Sequence, residues 1–325
     1  MKALVCSAYG PPESLRVGEL PEPVPGEGEI LIDVRAAGVN FPDVLIVQGK
    51  YQFKPEPPFA PGGEVAGIVR AVGPGVTRFK PGDRVLATMI WGGYAERAVA
   101  KERQTLRLPE GFDDATASAF ALTYGTSIHA LKDRAALRPG ETLLVLGAAG
   151  GVGLAAVEIG AAMGARVIAA ASSDDKLATA REHGAAETIN YASEDLRARL
   201  KEITKGRGVD VVYDPVGGAM TEAALRSIAW EGRYLVVGFA AGEIPKLPLN
   251  LVLLKGCQVV GVFWGAFAER EPERNEANLV GLVDWFREGR IRPRVDAVYP
   301  LEQAVEAMRR LSRREVKGKL VIAVS

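Results

Sequence analysis

A chain of 325 residues is too long to fold around one small core, so two domains are expected. A hydrophobic fraction of 48%, a charged fraction of 25% and forty basic residues against forty acidic ones describe an ordinary folded globular protein. No basic run marks a nucleic-acid partner or an anionic membrane, and neither is expected. The opening MKALVCSAYGPP lacks the sustained apolar segment of a signal peptide. The uncharged stretch around Leu143 to Val157 is Gly-rich and shorter than the ~20 residues a membrane helix needs. Two scattered cysteines, Cys6 and Cys257, fit buried thiols in a reducing compartment, and the cytoplasm is the expected location.

Roughly the first 120 residues read as short strands separated by Gly and Pro. They are Met1 to Val5, Gly28 to Ala37, Gly62 to Val72, Asp83 to Leu86 and Tyr94 to Ala100, with turn signals such as Lys80-Pro81-Gly82-Asp83 between them. This predicts a β-rich domain, a partly closed barrel. From Thr142 the rhythm changes to alternating strand and helix. Strand Thr142 to Leu146 enters a Gly-rich turn and a helix ending near Gly164. Strand Arg166 to Ala171, helix Asp174 to His183 and a strand to Tyr191 follow. A helix from Glu194 to Lys205 comes next, with Ser193 as its expected cap. Strands Val209 to Asp214, Arg233 to Phe239 and Gln258 to Trp264 complete the series. Such alternation predicts a Rossmann-type, doubly wound parallel α/β sheet. The tail is mixed: helix Asn275 to Arg287, strand Arg294 to Tyr299, helix Leu301 to Ser312 and strand Lys319 to Val324, the last expected to rejoin the first domain.

The segment LLVLGAAGGVGLAAVEIGAAMGA places Gly147, Gly150 and Gly153 at the relaxed dinucleotide-binding spacing, between a predicted strand and a predicted helix. Gly147 allows the tight exit from the strand. Gly150, Gly151 and Val152 bring backbone to a pyrophosphate at the positive helix N-terminus, and Gly153 permits close packing. An NAD site usually ends its second strand with Asp or Glu for the ribose hydroxyls. Here that position is Ala171, followed by Ser172 and Ser173, with Lys176 in reach of a 2′-phosphate. Asp174 and Asp175 argue the other way but suit the first turn of a helix. NADPH is therefore the expected cofactor.

The chain resembles the medium-chain dehydrogenase/reductase superfamily, in its zinc-free quinone oxidoreductase branch that includes the zeta-crystallins. The likeness spans nearly the whole sequence. It rests on AAGVNFPDVLIVQGKY (Ala36 to Tyr51), PGGEVAGIVRAVGPGV (Pro61 to Val76), FKPGDRV (Phe79 to Val85), LTYGTSIHAL (Leu122 to Leu131), GAAGGVG, GAAETINY (Gly184 to Tyr191), VVYDPVGG (Val211 to Gly218) and VVGFAAG (Val236 to Gly242). The resemblance implies a GroES-like β-rich domain at 1–122 and 267–325, and a nucleotide-binding domain at 123–266. Zinc alcohol dehydrogenases of the superfamily place a Cys near Asn40 and a His beside Glu64, where this chain has Asn40 and Gly63. Cys6, Cys257, His129 and His183 have no ligand spacing, so no metal site is expected. Without a Lewis acid the substrate should already be electrophilic, a quinone or an α,β-unsaturated carbonyl.

The resemblance also implies individual roles. Asn40 positions nicotinamide or substrate, or else satisfies backbone in a turn; Asp43 has the same two readings. Tyr51 either donates to a developing enolate oxygen or only stacks on substrate. Thr126 meets the nicotinamide ribose, Tyr191 and Arg314 reach the 2′-phosphate, and Gly217, Phe239 and Phe263 line the carboxyl edge of the sheet. Glu64 is assigned to structure. A homodimer paired antiparallel through Gln258 to Trp264 is expected, since that strand ends the sheet with no Pro and no internal charge. An enoyl-thioester reductase and a non-catalytic, crystallin-like NADPH-binding protein are the alternatives.

Overall fold

The computed structural model describes residues 1–108 and 111–324. The chain divides into two units, 1–122 with 293–325, and 123–292. The first unit opens with β1 (Lys2–Val5), β2 (Arg16–Glu19) and β3 (Glu29–Val39), followed by the short helix α1 (Phe41–Val47). Strands β4 (Glu64–Val72), β5 (Arg84–Thr88), β6 (Arg97–Lys101) and β7 (Thr105–Arg107) and helix α2 (Asp114–Ala117) follow. The long strand β3 organises this unit, because it carries apolar residues on both faces and pairs antiparallel with both β4 and β6.

The second unit runs from the helix α3 (Ala121–Ile128), which straddles the division, through a regular βα series. It comprises β8 (Thr142–Leu146), α4 (Gly151–Ala162), β9 (Arg166–Ala171), α5 (Asp174–Glu182), β10 (Glu187–Asn190), α6 (Leu196–Ile203) and β11 (Val209–Asp214). It continues through α7 (Met220–Arg226), β12 (Ile228–Val236), α8 (Leu249–Lys255), β13 (Gln258–Gly261), α9 (Trp264–Arg270) and α10 (Pro272–Arg287). Six parallel strands stand in the order β10-β9-β8-β11-β12-β13. The order reverses beside β8, which puts the crevice for a ligand at the carboxyl ends of β8 and β11. All five residues of β8 are buried, as a strand covered on both faces requires.

The chain then returns to the first unit with β14 (Val295–Pro300), α11 (Ala304–Ser312) and β15 (Lys319–Ala323). Strand β15 pairs antiparallel with β3, so the last strand does rejoin the first sheet. That sheet has seven strands along an open path, β14-β15-β3-β4-β5-β7, with β6 added on β3; no ring closes among the described residues.

Four expectations are corrected. Residues 267–292 belong with the second unit: the Trp264 indole N–H donates to Asn275 Oδ1 at 2.8 Å, and Asn278 joins Lys132 and Asp133 at 2.8 Å. The strand expected to run to Trp264 ends at Gly261, because Phe263 starts the turn into α9. The strand expected at Arg233 to Phe239 spans Ile228–Val236. The helix expected from Glu194 is α6, and its cap is Asp195, whose carboxylate accepts from Ala198 N at 2.6 Å, rather than Ser193. The last three misses come from element ends, where local capping competes with periodicity.

Candidate active site

In the first unit the sequence Val39-Asn40-Phe41-Pro42-Asp43 turns the chain from β3 into α1. Asn40 is the N-cap, with extended backbone, and Pro42 suits the first turn, where a missing N–H costs nothing. The Asn40 N–H donates to Asp43 Oδ2 at 2.8 Å. The Asn40 side chain faces the other way: its Oδ1 accepts from Lys319 Nζ at 2.5 Å, and its Nδ2 donates to Glu64 Oε2 and to Gly38 O, each at 3.3 Å. Lys319 opens β15 and also donates to Val39 O at 3.0 Å, with Glu64 Oε2 3.5 Å away. Glu64 opens β4, and its other oxygen accepts from Leu122 N at 2.8 Å. The Tyr94 hydroxyl donates to Asp43 Oδ2 at 2.6 Å. Asn40, Asp43, Glu64, Tyr94 and Lys319 are 4%, 1%, 0%, 0% and 6% exposed.

This is a closed polar corner in an apolar shell. Gly38 keeps it tight: a Cβ there would lie 2.1 Å from Ser118 O and 3.0 Å from Glu64 Oε2. Burial is the largest influence on every ionisable group in it. It raises the Asp43 carboxyl to about 6, against the Tyr94 hydrogen bond and the Lys319 charge. It raises Glu64 and lowers Lys319, each opposed by the other's charge. Tyr94 is pushed well above the ordinary phenol, by burial first and then by Asp43. Tyr51 lies just beyond α1, half-buried against the core of this unit, with the Phe53 ring 6.1 Å away. Its phenol is also raised, by burial and then by the Asp43 charge.

The second unit carries the dinucleotide turn. Gly147 leaves β8 with φ of +59°, and Gly150 caps α4. A Cβ on Gly153 would fall 2.2 Å from Gly147 O, so the third glycine is what lets the helix close on the turn. Gly151 and Val152 begin the helix and are half-buried. This cradle fits a pyrophosphate: it is the N-terminus of a twelve-residue helix whose glycine N-cap makes no side-chain hydrogen bond. Thr126 is half-buried on α3, and its neighbour Ser127 donates to Val152 O at 2.9 Å, fastening α3 to the turn.

The residues singled out after β9 do gather. Ser173 caps α5 by accepting from Lys176 N at 3.4 Å, and Lys176 Nζ donates to Ser172 Oγ at 3.2 Å. Tyr191 N donates to Ala171 O at 3.1 Å, which puts the tyrosine beside the same strand end. Asp174 accepts from Asn190 Nδ2 at 2.8 Å. Gly217 (φ +69°) and Phe239 pack together after β11 and β12: a Cβ on Gly217 would lie 3.0 Å from the Phe239 ring. Phe263 is exposed between β13 and α9. Arg314 lies in the first unit, just past α11, with φ of +60°.

Sequence reasoning missed Lys319, Tyr94 and Asp214 as members of buried polar networks, and Glu64, which it assigned to structure, joins the first of these networks. The buried Asp214 shapes the carboxyl-edge loop: its Oδ1 accepts from Val216 N and Gly217 N at 2.8 Å, and its Oδ2 from Thr221 Oγ1 at 3.0 Å and Tyr234 OH at 2.5 Å. A signal existed for both charged residues: Asp214 ends an apolar strand, and Lys319 opens one. A charge at such a position demands a partner.

The Asp43 shift yields a stability prediction. A carboxyl raised in the folded state stabilises fully below the unfolded value of 3.8, and this contribution is lost as pH rises through about 6. The loss is about 3 kcal/mol at 1.36 kcal/mol per pH unit. Asp43→Asn keeps an acceptor for Asn40 N and Tyr94 OH but cannot titrate. Urea unfolding from pH 4 to 7 should show a flatter stability profile for the variant than for the parent; parallel profiles would show that Asp43 is not the titrating group.

Residues 26–110 match the alcohol dehydrogenase GroES-like domain, and residues 151–280 match the zinc-binding dehydrogenase family. The second description names zinc, but the donor set here does not fit it. Among the described residues no group of three or more His, Cys, Asp or Glu could hold a metal. Asp43 and Glu64 already accept from protein donors, with an ammonium beside them. A quinone oxidoreductase-like protein 2 homolog from Nematostella vectensis is 38% identical over 99% of this chain and 88% of its own length. A quinone oxidoreductase from Pseudomonas aeruginosa is 37% identical over 99% of both chains. The structure of Escherichia coli quinone oxidoreductase complexed with NADPH superimposes with a TM-score of 0.92 at 31% identity, over 100% of both chains. The chain belongs to the quinone oxidoreductase branch of the medium-chain dehydrogenase/reductase superfamily.

Proposed function

We propose that this protein reduces quinones and other α,β-unsaturated carbonyl compounds at the expense of NADPH, without a metal. The observation that carries the reading is the end of β9. Two hydroxyls and an ammonium gather there, where an NAD site would present an acid. Gly147, Gly150, Gly151, Val152 and Gly153 hold the pyrophosphate, Ser172, Ser173, Lys176 and Tyr191 form the 2′-phosphate patch, and Thr126 faces the ribose. Gly217, Phe239 and Phe263 belong to the same carboxyl edge. The NADPH in the Escherichia coli relative supports this assignment. Bound NADPH supplies a hydride; the chain's own groups orient the acceptor and stabilise the charge it gains.

Tyr51 is the group assigned to that charge. Its phenol is raised, so it stays protonated at neutral pH and serves as a hydrogen-bond donor to a developing enolate oxygen, with solvent delivering the proton. Asn40 and Asp43 are buried, and the Asn40 amide and Asp43 Oδ2 are taken up by protein partners, so we assign both to positioning the corner rather than to contact with substrate.

The assembly is proposed to be a homodimer in the cytoplasm. Among the described residues no helix is long and apolar enough to cross a membrane. Strand β13 is the exposed edge of the parallel sheet, and the helix before it leaves Leu249, Leu253 and Leu254 exposed, Leu253 by 79%. A second copy paired antiparallel on β13 covers both features. Val262 N donates to Val236 O, so the alternating backbone turns the N–H of Val259 and Gly261 outward.

Steady-state NADPH oxidation with 1,4-benzoquinone, 9,10-phenanthrenequinone, a 2-alkenal and crotonyl-CoA tests the activity. Turnover of the quinones and the alkenal ahead of the thioester is expected. Faster crotonyl-CoA reduction would favour an enoyl-thioester reductase, and no oxidation with any acceptor a binding protein. Tyr51→Phe should reduce turnover of the alkenal about tenfold and affect quinones less, since an enolate is the poorer anion. Lys176→Ala should weaken NADPH about tenfold, the worth of one charge-assisted contact, and leave NADH unchanged; equal losses for both would remove Lys176 from the phosphate site. Light scattering should show a dimer at micromolar concentration, and Val259→Pro should shift it to monomer by removing an outward donor. A monomeric parent protein would refute the pairing.

A further inference from the structure

We infer that Lys319 is a positioning residue for the proposed reduction: its ammonium fixes the Asn40 amide, and with it the first turn of the short helix that leads to Tyr51. The inference rests on the reading of Tyr51 as the donor to the substrate carbonyl.

An Asn side chain can be turned over with little change of shape, exchanging its donor and acceptor ends. Here the two ends meet groups that tolerate only one orientation. Lys319 can only donate, and it meets Oδ1 at 2.5 Å. Ionised Glu64 can only accept, and it meets Nδ2 at 3.3 Å. The cation and the carboxylate therefore set the rotamer of Asn40 from both sides. The Asn40 backbone in turn starts α1, accepting from Asp43 N at 3.1 Å while its own N–H donates to the Asp43 carboxylate.

Helix α1 has seven residues, too few to hold itself, so its ends decide where it lies. Its far end closes with Lys50 N donating to Leu45 O at 2.9 Å, and Tyr51 is the next residue. The near end depends on a side chain 279 positions away in the sequence. Lys319 is almost wholly buried, so water cannot replace its partners. The charged and titratable groups around it are Glu64 on β4, Asp43 on α1 and, through Asp43, Tyr94.

The test uses the full-length protein and two variants, Lys319→Met, which keeps the volume and loses the charge, and Lys319→Arg, which keeps the charge. Amide hydrogen exchange of residues 41–47 is compared with that of α4 and of the β4–β5 pair. Turnover and KM are measured with NADPH and the 2-alkenal, and NADPH affinity by titration. In the Met variant, exchange in 41–47 should rise at least tenfold with β4–β5 unchanged. Its turnover should fall by about tenfold or more while NADPH affinity stays within twofold, as misplacement of a reacting group predicts. The Arg variant should recover both within about threefold. Unchanged exchange in the Met variant overturns the inference. So does a rise spread evenly over the first unit, which is a loss of stability only, or an Arg variant no better than Met, which assigns the effect to packing. If the parent protein oxidises NADPH with no acceptor, the functional reading fails, and the exchange comparison alone decides whether Lys319 positions α1.

Discussion

Charge removed from water has to be compensated where it lies, and the first unit gathers two carboxylates and one ammonium in its interior. Burial drives each toward its neutral form: Asp43 and Glu64 upward, Lys319 downward. Mutual attraction and hydrogen bonds oppose that drift. The result is a corner in which nearly every polar atom has a specified partner, drawn from β3, α1, β4, β15 and the segment before β6. Those five segments cannot slide independently, because a shifted strand would strand a charge. A polar network at this depth fixes geometry even where its net contribution to stability is small.

The second unit uses the same device once more with a different outcome. Asp214 at the end of β11 accepts four donors and so bends the loop through Gly217 and Gly218 back over the sheet edge. Near it, the glycine turn after β8 leaves the head of α4 without a side-chain cap. One loop is shaped by a buried acid and the other by missing Cβ atoms. Both present backbone at the carboxyl edge, where a dinucleotide needs it.

A further buried carboxylate shows how far local context decides a role. Glu158 on α4 accepts from the Tyr124 hydroxyl at 2.5 Å, from His183 Nδ1 at 2.6 Å and from Arg292 N at 3.0 Å. These contacts join α3, α4, the end of α5 and the segment after α10 within one unit. His129 is engaged likewise, with Asp133 at 2.9 Å and stacked on Phe267 at 3.9 Å between ring centres. Both histidines are held by carboxylates of their own unit.

The sequence by itself determined what depends on neighbours along the chain. Strand–helix alternation from Thr142, the glycine spacing at 147, 150 and 153, the missing acid after Ala171 and the return of the last strand were all legible, because each is a short-range pattern with one good structural solution. Helix and strand ends were read less well: Asp195 displaced Ser193 as a cap, and Phe263 and Trp264 left the strand they were expected to finish. Only the tertiary structure shows what Asn40 and Asp43 touch. Their residue types fit a turn or a catalytic corner equally well. What the fold adds is a lysine at position 319, a glutamate at 64 and a tyrosine at 94, brought within hydrogen-bonding reach by sheet register. Nothing in a local window links residues so far apart, and only the cost of an unpaired buried charge makes the link obligatory.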